Sequence, residues 1–142
     1  MPREAPQATL VHSVDSPTGR LELTLDPDPG SPRVARRAVV TLLRRLDAGD
    51  ELVHTAALLV SEVVTNAVVH AGTAVQLGCE AGRFGVRVEV ADESPLPPIV
   101  GEQTDDASTG RGLVLVDALA REHGVRLAPA GKVVWFVLGD LG

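Results

Sequence analysis

Glu62, Asn66 and His70 are spaced by four in the run Ser61-Glu62-Val63-Val64-Thr65-Asn66-Ala67-Val68-Val69-His70. On an α-helix each such step turns only about 40°, so a carboxylate, an amide and an imidazole share one stripe. Within an apolar helix that stripe is either the wet side of an amphipathic element or the lining of a cavity, where buried polar groups need partners. A metal site from Glu62 and His70 is a third reading, but no cluster of further His or Cys ligands accompanies it. A second constellation is Asp92, at the end of the apolar run Val88-Glu89-Val90-Ala91 and just before Glu93-Ser94-Pro95. An acid there can cap a turn or face a ligand. The third is Ser108-Thr109-Gly110-Arg111-Gly112-Leu113, a glycine-flanked turn running into an apolar helical sequence. Glycine lets the backbone approach an anion, and the first N–H groups of a helix with its dipole favour phosphate. Alone, the same residues also suit an ordinary loop-to-helix junction.

The elements that must position these groups follow from periodicity. Leu21, Leu23 and Leu25 alternate with Glu22 and Thr24 as in a strand with one buried face, and 26–30 is a turn sequence. Ser31 reads as an N-cap with Pro32 first in a helix over 32–46, whose apolar stripe includes Ala35, Val39, Leu42 and Leu43. Asp50 is the expected cap of a second helix, 51–70, which Ala71-Gly72 ends. Strands over 74–80 and 84–91 form a hairpin around Ala81-Gly82-Arg83. The polar, Pro-rich stretch 92–109 is long for a connection and reads as a lid. A third helix, 112–122, precedes a closing hairpin of 125–127 and 133–138 around Pro129-Ala130-Gly131.

Residues 1–19 read as a flexible arm or edge strand, with strand character over 9–14, and 20–142 as one domain. The expected fold class is α+β: a two-layer sandwich with a mixed, mostly antiparallel sheet and helices on one face.

Composition narrows the function. Of 142 residues, 44% are hydrophobic, but the only rings are Phe84, Trp135 and Phe136, so the core is aliphatic and a base-stacking platform is excluded. A formal charge of -6 argues against binding a nucleic-acid backbone and favours a protein partner or a small ligand. The single cysteine, Cys79, precludes an internal disulfide, and Met1-Pro2-Arg3-Glu4 is not followed by an apolar run of signal-peptide type. The apolar region 56–71 is interrupted by Ser61, Glu62, Thr65, Asn66 and His70 and falls short of the roughly 20 apolar residues of a membrane span. The expectation is a cytoplasmic protein with no membrane segment.

In order and spacing the three constellations resemble the Bergerat-fold, or GHKL-type, ATPases. Glu62-x-x-x-Asn66 resembles their N box, Asp92-x-Ser94 a variant of their first glycine box, and Gly110-Arg111-Gly112-Leu113 their second. The resemblance covers roughly 21–138. It is nearest to the anti-sigma-factor/serine-kinase branch, including short actinobacterial ATP-binding regulators; Asn66-Ala67-Val68-Val69-His70-Ala71 and Gly131-Lys132-Val133-Val134-Trp135 are further matching text.

The resemblance implies that Asn66 coordinates Mg²⁺ bridging the phosphates of ATP and that Asp92 accepts the adenine amino group. Thr109, Gly110, Arg111, Gly112 and Leu113 would hold phosphate, Ser94 would belong to the nucleotide-binding set, and Glu62 would be the general base. For His70 it implies a packing or supporting role. The implied activity is transfer of the terminal phosphate to a Ser or Thr of an antagonist protein, with a sigma factor or anti-anti-sigma-type protein as partner. The alternative is a nucleotide-gated module that sequesters its partner without transfer. No direct nucleic-acid contact is implied, and a homodimer is compatible with the branch. The sequence departs from the pattern at Ser94, where glycine is usual, and at Lys132, where many relatives have threonine. It also has no Lys or Arg between Asp92 and Thr109.

Overall fold

A computed structural model describes residues 8–12, 19–83, 85–94 and 114–139. Strands β1 (Ala8–His12) and β2 (Gly19–Leu25) lead to helices α1 (Ser31–Arg45) and α2 (Asp50–Ala71). Strands β3 (Val75–Gly82) and β4 (Gly85–Asp92) follow, and β5 (Glu122–Ala128) with β6 (Gly131–Leu138) closes the chain. The strands form one sheet in the order β1-β2-β3-β4-β6-β5, with every described pairing antiparallel.

Alternation in the sheet explains the two layers. Leu21, Leu23 and Leu25 of β2, Val75, Leu77 and Cys79 of β3, and Val86, Val88 and Val90 of β4 are buried on the face that α1 and α2 cover. From the helices, Ala35, Val39, Leu42, Leu43, Leu59, Val60, Val63 and Val64 complete this core. Phe136 is the one large ring within it among the described residues. Burial of each such Val, Leu or Phe side chain contributes about 1.5–3 kcal/mol relative to exposure. The opposite face keeps polar partners: Arg87 lies 4.5 Å from the Trp135 ring centroid and pairs with Glu89 at 3.1 Å.

The helix starts differ from the sequence expectation. Gly30, not Ser31, is the N-cap of α1; Ser31 Oγ instead donates back to the Asp26 carbonyl at 2.6 Å, while Asp28 Oδ1 accepts the Gly30 N–H. The turn before the helix captures the hydroxyl, so Pro32 falls one position deeper in the helix. Gly49 caps α2 without a side-chain bond, and Asp50 is its first helical residue, where its charge suits the positive end of the helix dipole. Gly72 ends α2 at φ 64, the left-handed conformation glycine adopts without strain.

Helix α2 is also long and apolar enough to cross a membrane by length and composition, with mean hydropathy 1.6 over its best window. The interruptions noted in the sequence do not take it below that mark. Its apolar side chains Val53, Ala56, Leu59, Val60, Val63 and Val64 are buried in the core.

The third helix ends earlier than expected. Residues 114–119 are helical, Val116 enters the core, and the Arg121 N–H already donates to the Val137 carbonyl at 2.8 Å. Pairing with β6 therefore overrides the helical pattern, and Glu122 begins β5.

Candidate functional site

The long helix sets a gradient of burial along the polar stripe. Asn66 is buried, Glu62 is half-buried and His70 is exposed in the last turn. The packing role expected for His70 is therefore not what the structure shows. Asn66 Oδ1 is buried with no hydrogen-bond partner among the described residues. A buried, unpaired amide oxygen costs stability, and where one persists it calls for a functional explanation. The hydroxyl of the adjacent Thr65 donates to the Ser61 carbonyl at 2.6 Å, so Thr65 does not serve Asn66.

Asp92 ends β4 directly opposite Lys132 of β6. Both face the helical layer, as their neighbours Val90 and Val134 do, and their side chains are only 3% and 6% exposed. Lys132 Nζ lies 3.0 Å from Asp92 Oδ2 and 3.2 Å from Oδ1. The Ser94 N–H donates to Oδ1 at 2.8 Å. The Asp92 carboxylate thus closes an Asx turn and neutralises a buried cation at once. Ser94 is itself buried, and its backbone N–H holds Asp92.

Two further residues position this corner. A Cβ on Gly131 would run into the Asp92 carbonyl and come within 2.8 Å of Glu93 Cα, so only glycine lets β6 press against the end of β4. Thr73, just past α2, accepts the Glu93 N–H on its hydroxyl at 3.0 Å, tying the end of the Asn66 helix to the end of the Asp92 strand. Sequence reading missed Thr73. A hydroxyl after a helix-ending glycine was its only local signal.

The structure therefore assembles Asp92, Ser94 and Lys132 into one contact set, and holds Glu62 and Asn66 on α2, which packs on β4. No hydrogen bond joins Asn66 to Asp92 among the described residues. Thr109, Gly110, Arg111, Gly112 and Leu113, and the lid expected over 95–109, lie outside the described residues. A hard cation such as Mg²⁺ takes oxygen ligands, and the unpaired Asn66 Oδ1 fits that chemistry.

Comparison with known proteins agrees with this architecture. No curated protein matches the chain. A solved structure of the RsbU and RsbW domains of Rv1364c from Mycobacterium tuberculosis superposes with a TM-score of 0.64 at 20% identity, covering 85% of this chain. The chain spans 32% of the length of that solved protein, and at this identity the likeness speaks for the fold. The histidine kinase-like ATPase domain family matches residues 25–138, a span that includes α2, Asp92 and β6. With most of its length matched by that family, and with the family's two-layer fold, the chain belongs to the histidine kinase-like ATPase domains.

Proposed function

We propose that the chain is an ATP-dependent regulator that transfers the terminal phosphate of Mg·ATP to a Ser or Thr of an antagonist protein, in the manner of anti-sigma-factor kinases. The observation that carries it is the buried Asn66 Oδ1, without a partner among the described residues, one helical turn after Glu62. The chemistry Mg²⁺ would supply when bound is neutralisation of the charge that develops on the phosphates. Asn66 would hold the cation through Oδ1. Glu62 takes the proton from the attacking hydroxyl. Asp92 meets the base. The main-chain N–H groups of 110–113, with Thr109 and the Arg111 side chain, hold phosphate. The unit that does this is 20–142, to which Ala8–His12 adds an edge strand along β2.

The likeness to a chain with an RsbW domain, and a net charge of -6 that disfavours nucleic acid, both suit a protein partner. That partner is a sigma factor or an anti-anti-sigma-type protein, and the setting is cytoplasmic. The test is radiolabelled phosphotransfer from the γ-phosphate of ATP to proteins captured from the native host. Label on a partner's Ser or Thr, lost with Glu62→Ala, is expected. Binding of both nucleotide and partner without transfer would replace this reading with the sequestering module.

A further inference from the structure

The step at which the chain leaves β4 is held from two sides. On one, Asp92 Oδ1 takes the Ser94 N–H at 2.8 Å, so the direction of the carboxylate follows the 93–94 backbone. On the other, the Thr73 hydroxyl accepts the Glu93 N–H at 3.0 Å and donates to the Ala74 carbonyl at 3.2 Å. The backbone register of β3 with β4 ends at Gln76 opposite Ala91. Beyond it, the Thr73 side chain stands in for a ladder carbonyl. Its place is set by α2: Gly72, at φ 64, turns the chain out of the helix, and Thr73 follows it directly.

A nucleotide that meets Asp92 with its base and Asn66 with its phosphates rests on two elements, the exit of β4 and the last turns of α2. Ordering two supports at the moment of binding costs affinity, and supports already held at the right spacing avoid that cost. We infer that Thr73 is a positioning residue for the nucleotide: through the 92–94 turn it holds the Asp92 carboxylate at a set place relative to the Asn66 helix. The inference rests on Asp92 being the base-binding group of the proposed ATP site. Thr73→Val is the matching perturbation, because it keeps the branched shape and removes only the hydroxyl. Glu93 is exposed, so its N–H turns to water and the fold persists.

Calorimetric titration of the full chain with Mg·ATP, for the parent, Thr73→Val, Thr73→Ser, Asp92→Ala and the Thr73→Val/Asp92→Ala double variant, tests it. Thr73→Val should lower ATP affinity about three- to tenfold, the scale of one neutral hydrogen bond. Thr73→Ser restores the hydroxyl and should bring affinity back to within about twofold of the parent. In the Asp92→Ala background Thr73→Val should change affinity less than about twofold, because the group it positions is gone. A merely structural role would instead weaken binding by the same factor in both backgrounds. Circular dichroism on each variant confirms that the chain is folded. Equal losses in both backgrounds, or parental affinity in Thr73→Val, overturns the inference and leaves the ATP site standing. Parental affinity in Asp92→Ala, or failure of the parent to bind ATP, overturns both.

Discussion

Replacing Lys132 by Met removes the ammonium and keeps a side chain of similar length, leaving Asp92 as a carboxylate 3% exposed with the Ser94 N–H as its remaining donor among the described residues. Breaking a buried ion pair from one side costs about 3–5 kcal/mol, because the surviving charge stays desolvated. Retention of the Ser94 bond places the expected loss at the lower end, about 3 kcal/mol. Against a total stability of about 5–15 kcal/mol the variant remains folded, but visibly weakened. In urea, with a slope of about 1–3 kcal/mol/M, the unfolding midpoint should fall by about 1–3 M. Adding Asp92→Asn to Lys132→Met removes the stranded charge while its amide oxygen still accepts the Ser94 N–H, so the double variant should be more stable than Lys132→Met alone. The Arg44–Asp50 pair, with side chains 61% and 96% exposed, is the internal control, and Arg44→Met should change the midpoint within error. A Lys132→Met midpoint equal to the parent's, or a double variant weaker than the single by the sum of both effects, would refute the buried-pair account.

Asn66→Ala should leave the nucleotide-free protein as stable as the parent or slightly more so, since it removes an unpaired buried oxygen, while calorimetry shows weakened Mg²⁺-dependent nucleotide binding. Clear loss of stability in the free protein would mean that the amide has a structural partner. Glu62→Ala should keep nucleotide affinity within a few-fold and lower phosphotransfer about a hundredfold or more, as for a general base; an unchanged rate would remove Glu62 from the chemistry. Burial, and secondarily the charge of Glu80, push the Cys79 thiol from 9.0 to about 12. The unfolded chain therefore loses this proton first, and stability falls as pH rises from about 9 toward 12. Cys79→Ala should flatten that fall in urea midpoints measured at rising pH, and an unchanged slope would assign it to other groups.

What the sequence made legible follows from how strongly each residue's environment dictates its type. β2, β3, β4 and both long helices bury one face, so Leu21-Leu23-Leu25 and the stripe through Val39 and Leu43 carry clear periods of two and 3.6. β5 is an edge strand with Val125 and Leu127 exposed, so no alternation marks it, and its start was absorbed into the preceding helix. The caps failed for a local reason: Ser31 had a carbonyl within reach in Asp26, and side-chain bonds within a turn compete with capping. At the site, Glu62, Asn66 and Asp92 stood out because carboxylates and amides are conspicuous among Val and Ala. The partner of Asp92 was hidden. Lys132 lies forty positions away in the chain, and only the β4–β6 register brings the two together. The identity of Lys132 was visible as a departure from threonine, but its bond to Asp92 was not.

The most direct measurement of the central claim is calorimetric titration of the full chain with Mg·ATP, alongside Asp92→Ala. The account predicts one nucleotide per chain for the parent. For Asp92→Ala it predicts affinity lower by about tenfold to a hundredfold, the worth of about 1.5–3 kcal/mol for a hydrogen bond to a charged acceptor. Absence of binding by the folded parent at millimolar nucleotide, or equal affinity in parent and variant, would contradict it.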